Sequence, residues 1–167
     1  MRTKAATPEE KQISLDRMRY TKDKLSANLV LFAIILDALY FVKVYQMDRG
    51  SYFYNWEIGA SVIYNLLFLL IAFLCSEGCK NRLSGYMPTM LFLGVMQFVR
   101  VTQLPAKALK AMIIVGDTET SAITQGEYTY LIALLIVSGT CLLVAAVTNT
   151  VNNKRLNDYM KTLEKSA

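Results

Sequence analysis

Residues Leu25–Val42 read LSANLVLFAIILDALYFV, an unbroken apolar run with no glycine and no proline. As a helix these 18 residues extend about 27 Å, close to the hydrocarbon thickness of a bilayer. The run holds one ionisable residue, Asp37. A carboxylate at bilayer depth costs roughly 2.5–3.5 kcal/mol on insertion scales, so it needs a partner or a job. What Asp37 faces is therefore the main question the sequence poses.

Three further apolar blocks follow, Ile58–Cys75, Met87–Leu104 and Tyr128–Val147. Together the four predict an all-α polytopic membrane protein, a bundle of four transmembrane helices over residues 25–147 with spans 25–42, 58–75, 87–104 and 128–147. No small-residue cleavage pattern follows the first block, so it is expected to stay in the mature chain. Residues 1–24 form a basic N-terminal segment in which Thr7-Pro8-Glu9-Glu10 marks a helix start. That helix is expected to run into the first span or to bend near Ser26–Ala27. Tyr40, Phe41, Tyr45, Tyr52, Phe53, Tyr54 and Trp56 crowd around the first connection, as in an interfacial belt. The loop Ser76–Tyr86 is short. Pro105–Gly116 reads as a short helix in the interface, and Asp117–Glu127 as a polar loop whose acids Asp117, Glu119 and Glu127 are solvated. Residues 148–167 form a basic tail with a frayed helix.

The basic residues orient the spans. The N-terminal segment, the loop after the second span and the C-terminal tail carry 13 of the 18 Lys and Arg. The other two connections hold only Lys43, Arg49, Lys107 and Lys110. By the excess of cations on the inner side, both termini are expected in the cytoplasm. Lys22, Lys24, Lys80, Arg82, Lys154 and Arg155 then form an inner ring that sets topology and meets lipid headgroups.

At about 1.5 Å per residue, Asp37 lies about 18 Å up the first span, Arg100 about 20 Å up the third, and Gln97 about 15 Å. Asn65 in the second span and Ser138 in the fourth reach a similar level. Three/four spacing places each on a common inward face: Ser26, Val30, Ala33, Asp37 and Tyr40; Ser61, Asn65, Phe68 and Ala72; Met90, Gly94, Gln97 and Arg100 or Val101; Ser138, Cys141, Ala145 and Asn149. This layer has three readings: an Asp37–Arg100 pair that holds the bundle together, an Arg100 that snorkels outward, or a substrate or ion site.

Several classes of chemistry lack their residues. There is no histidine, the commonest general base and metal ligand. Cys75, Cys79 and Cys141 lie in or beside apolar segments without C-x-x-C spacing, so no metal or redox site is expected. The net charge of +5 lies beside apolar blocks and points to the bilayer rather than to nucleic acid. No catalytic motif and no cofactor motif is present. The sequence therefore reads as a non-catalytic integral membrane protein of the plasma membrane, a subunit or accessory of a larger transport assembly, partnered by other membrane subunits or by copies of itself. The absence of an N-x-S/T sequon agrees with a bacterial source. The alternatives are a self-standing homo-oligomeric transporter or channel using Asp37 and Arg100, and a membrane enzyme working with carboxylates alone.

Overall fold

The structure is a computed structural model that describes residues 8–20, 22–46, 56–110, 112–115, 118–121 and 123–166. It is almost wholly helical. Helix α1 spans Pro8–Tyr20, α2 Lys24–Gln46, α3 Trp56–Lys80, α4 Met87–Val101, α5 Leu104–Lys110 and α6 Gln125–Ser166. A 3-10 turn, Ser84–Tyr86, leads into α4. Strands β1 (Met112–Val115) and β2 (Thr118–Ser121) pair antiparallel between α5 and α6, with Met112 opposite Ser121. Three helices, α2, α3 and α6, are long and apolar enough to cross a membrane.

Helix α6 packs along both α2 and α4, α2 also packs along α3, and α3 meets α4 more lightly. The interior divides into two apolar clusters. One gathers Val30, Ala33, Phe68, Ala72, Met90, Leu142 and Ala145. The other gathers Leu36, Tyr40, Val44, Ala108, Ile123, Leu131 and Leu135. The outward faces are equally apolar. Leu31, Phe32, Ile35 and Leu39 on α2, Leu66, Leu67, Leu70 and Phe73 on α3, and Phe92, Val95 and Val99 on α4 are all exposed. Water would not tolerate so continuous an apolar surface, whereas lipid chains match it.

Helices α4 and α6 approach each other tightly at two glycines. A Cβ on Gly139 would stand 3.1 Å from the Gly94 carbonyl oxygen and 3.2 Å from Gln97 Cβ. One on Gly94 would stand 2.9 Å from Leu143 Cδ2. Small residues thus bring two backbones together, the packing mode available to helices in lipid.

Four expectations change. The N-terminal helix does not run into α2: it ends at Tyr20, and Lys22–Asp23 separates the two helices. The reason is a cap, since Asp23 Oδ1 accepts a hydrogen bond from Ser26 N at 3.3 Å. The expected cap at Thr7 lies outside the described residues. The third apolar helix ends at Val101 rather than Leu104. Thr102 N and Gln103 N fold back onto Val99 O and Arg100 O at 3.1 Å each, and Pro105 sits in the first turn of α5 instead of continuing α4. Residues 112–115, expected in a short helix, form a strand, and β2 replaces part of the expected loop. The tail is not a separate frayed helix, because α6 runs 42 residues, about 63 Å, without a break.

Two smaller features position the ends. Helix α3 extends five residues past its expected limit and closes with Arg82 in the left-handed region, φ 57°. There Arg82 N donates to Cys79 O and Leu83 N to Gly78 O, both at 3.0 Å, a Schellman closure. Helix α6 opens with a reciprocal capping box. Thr124 N donates to Glu127 Oε2 at 3.1 Å, and Glu127 N to Thr124 Oγ1 at 3.3 Å. Of the aromatic belt around the first connection, Tyr52, Phe53 and Tyr54 lie outside the described residues, as do Arg49 and Asp117.

Candidate functional site

The five residues placed in one layer by helical spacing meet. Arg100 is the centre. Its Nη1 lies 2.5 Å from Asp37 Oδ1 and donates to Gln97 Oε1 at 2.8 Å. Its Nη2 donates to Asn65 Oδ1. Gln97 Nε2 donates to the same Asp37 oxygen at 3.0 Å and reaches Ser138 Oγ at 3.4 Å. Ser138 in turn donates to the Ala33 carbonyl at 3.1 Å. The network therefore ties α2, α3, α4 and α6 through side chains that spacing alone had aligned.

Burial of the layer is complete. Asp37, Gln97 and Ser138 are 0% exposed and Arg100 5%. Arg100 does not snorkel outward. Its guanidinium sits between two rings, 4.7 Å from the centroids of Tyr40 and Tyr64. Cation–π attraction at each ring, typically about 0.5–2 kcal/mol, adds to the carboxylate and offsets the cost of removing the cation from water. Neither ring was assigned to Arg100 from sequence. Tyr64 is one residue before Asn65, and adjacency on a helix normally points side chains apart, so spacing gave no signal.

The layer is not fully satisfied. Asp37 Oδ2, Tyr64 Oη and Asn65 Nδ2 are buried without a hydrogen-bond partner among the described residues. All three belong to side chains that contact the Arg100 guanidinium. The layer lies between the two apolar clusters, so it is a polar disc inside a nonpolar interior.

A second buried polar cluster lies one helical stage further in, and the sequence reading missed its centre. Asp23, 4% exposed, accepts Ser26 Oγ at 3.0 Å and Asn149 Nδ2 at 3.2 Å. Asn149 Nδ2 also reaches the Cys79 carbonyl at 3.3 Å, and Asp23 N donates to Lys80 O at 3.1 Å. An aspartate three residues before a serine at the head of an apolar run was the available signal. These bonds gather the ends of α2, α3 and the middle of α6, and so bring the expected basic ring to one end of the molecule. Lys22, Lys24, Lys154 and Arg155 are exposed there, Lys80 pairs with Glu77 at 2.8 Å, and Arg82 is half-buried.

At the opposite end Lys43 Nζ meets Glu127 Oε1 at 2.8 Å. Glu127, expected as a solvated loop acid, instead joins the top of α2 to the start of α6. The hydrogen bond from Lys43 and that from Thr124 N hold its carboxyl below the usual carboxylate range. Cys75 and Cys79 are buried free thiols, Cys141 is a half-buried one, and no metal-ligating group of three His, Cys, Asp or Glu occurs among the described residues.

Comparison of the chain with protein-family models, curated proteins and solved structures finds no match.

Proposed function

We propose that this chain is an integral membrane protein of the plasma membrane that crosses the bilayer four times, with both termini on the cytoplasmic side, and acts as a non-catalytic subunit or accessory of a larger membrane assembly. Three crossings follow the long apolar helices. The fourth is assigned to α4 together with α5. Helix α4 alone has 15 residues, about 22 Å, but it starts beside the end of α3 and finishes at the Arg100 layer. Helix α5 continues outward, with Ala108 packed into the cluster of Tyr40, Val44 and Leu131. The inner side is the one that carries Lys22, Lys24, Lys80, Arg82, Lys154 and Arg155.

The observation that supports the non-catalytic reading is the enclosure of the Arg100 cation. The cation of Arg100 is held by Asp37, Gln97 and Asn65 and covered by Tyr40 and Tyr64. A group so enclosed locks four helices together and leaves the outward apolar faces as the means of meeting lipids, other subunits or further copies. Purification of the tagged full chain in mild detergent at native expression level tests this. A fixed heteromeric partner at constant stoichiometry supports the proposal, and a chain that is always alone contradicts it.

A second reading rests on the unpartnered atoms Asp37 Oδ2, Tyr64 Oη and Asn65 Nδ2. They provide an acceptor, a hydroxyl and a donor at membrane depth, as a small transporter or channel would require. Solute or ion flux through liposomes holding the pure protein, abolished by Asp37→Asn, selects that reading.

A further inference from the structure

A groove of about 320 Å³ lies where α6 leaves the apolar interior, lined by Asn149, Asn153, Lys154, Asn157, Asp158 and Lys161, with Met87 of α4 at one wall. Three features of the groove bear on what it can hold. First, it holds a buried acceptor of fixed orientation. Asn153 is 7% exposed, and its Nδ2 donates to Asn149 Oδ1 at 3.1 Å. With the amide nitrogen committed, Asn153 Oδ1 is left as an acceptor that has no partner among the described residues. Asn149 is itself held by Asp23 and the Cys79 carbonyl, so this orientation is built from the core outward.

Second, the groove carries both signs of charge. Lys154 and Lys161 are seven residues apart, which returns them to one face of α6 about 10 Å apart along the axis, and Asp158 lies between them on that face. All three are exposed, and none forms an ion pair among the described residues. Third, its position is interfacial. Val147 and Val151 still expose apolar side chains, and Lys154 follows within one turn. Side chains on α6 lean toward its N-terminus, which here is the membrane side, so the lysine ammonium groups are carried back toward the lipid phosphates.

A phosphate alone would meet the two lysines but leave Asp158 and Asn153 Oδ1 facing it as acceptors. A ligand that fits the whole groove has a phosphodiester and an N–H donor within a few ångströms of each other. Resting on the membrane reading above, we propose that the groove is a headgroup site for an ethanolamine phospholipid. Its phosphate sits between Lys154 and Lys161, and its ammonium donates to Asn153 Oδ1 and Asp158. A choline headgroup keeps the phosphate but has no N–H, and a glycerol headgroup offers only neutral hydroxyls to the carboxylate.

The test titrates the detergent-purified full chain with ethanolamine, choline and glycerol phospholipids of identical short chains, and with chain-free glycerophosphoethanolamine. Lipid retention is read by intact-complex mass spectrometry, and stability by the unfolding temperature. The ethanolamine lipid is expected to half-saturate at roughly tenfold lower concentration than the other two. Asp158→Asn should bring it to the choline level, and the Lys154→Gln/Lys161→Gln pair should weaken all three. These positions are exposed, so the variants keep their packing. Equal binding of choline or glycerol lipid, no response to Asp158→Asn, or full binding of the chain-free headgroup overturns the proposal. Alkaline carbonate extraction of the membranes checks the premise separately: release of the chain would defeat the membrane reading whatever the lipids do.

Discussion

Arg100 illustrates how one side chain is made tolerable inside an apolar interior. A lone guanidinium there would be costly, but this one has a carboxylate, two amide oxygens and two aromatic faces. Removing Asp37's charge leaves the cation buried without its counter-ion, and removing Arg100 strands the carboxylate. Asp37→Asn and Arg100→Gln are each expected to destabilise the protein by roughly 1–3 kcal/mol. The double variant should recover part of the loss, because no charge is then left alone, and a double-mutant cycle of unfolding free energies in detergent measures the coupling. Additive losses would mean that the pair contributes nothing as a pair. A second residue-scale expectation concerns Gly139. Its added methyl would meet the Gly94 backbone oxygen at 3.1 Å, which cannot rotate away, so Gly139→Ala should force α4 and α6 apart at a cost of about 1–3 kcal/mol. Gly126→Ala has open space around the new methyl and serves as the control in the same thermal unfolding series.

At the scale of elements, ends matter more than lengths. Helix α2 begins where it does because Asp23 caps it, and the same carboxylate accepts from Asn149 of α6. Asp23→Ala thus removes a cap and a link between helices together. A loss of about 1–2 kcal/mol is expected, with proteolysis between α1 and α2 increased, and unchanged proteolysis would contradict the capping role. The Lys43–Glu127 pair ties the far ends of α2 and α6. The Glu127 carboxyl is held low by the Lys43 hydrogen bond first and the Thr124 N–H second. A group with a depressed folded-state value contributes stability that is present above its unfolded value and is lost as pH falls through the folded one. Both side chains are about a third exposed, so solvent screening limits the contribution to below about 1 kcal/mol. Glu127→Gln should therefore lower the unfolding temperature slightly at neutral pH and flatten the small decline on the acid side of pH 4.5, so that variant and wild type converge in acid. A variant that keeps the wild-type acid slope would show that other carboxylates cause it.

For the whole molecule the decisive prediction is topology, and the structure changes how it must be tested. Cys79, expected in a loop, is 0% exposed in the last turn of α3 and packs on Met90, so it cannot report accessibility. Asn81 and Thr124 are exposed at opposite ends and replace it. Under the four-crossing proposal Asn81→Cys should resist a membrane-impermeant thiol reagent in intact cells and react after lysis, while Thr124→Cys should react in both, and the reverse pattern would end the topology. The sequence by itself determined the apolar blocks, the helical class and the inward faces. Ser26 to Tyr40, Ser61 to Ala72, Met90 to Arg100 and Ser138 to Asn149 follow a 3.6-residue period that any bundle must respect; of the residues expected on these faces Ser61, Cys141 and Val101, the alternative to Arg100, are half-buried and the others buried. Depth along a helix is likewise linear in residue number, so the shared level of Asp37, Asn65, Gln97, Arg100 and Ser138 was legible. Tertiary structure decided the rest. Which helices adjoin, that Arg100 lies between Tyr40 and Tyr64, that Asp23 turns inward, and that Gly139 faces Gly94 all depend on the rotation and pairing of separate helices. A one-dimensional period fixes which side of a helix is inside, but not which neighbour stands there, because that choice is made by contacts between residues far apart in the chain.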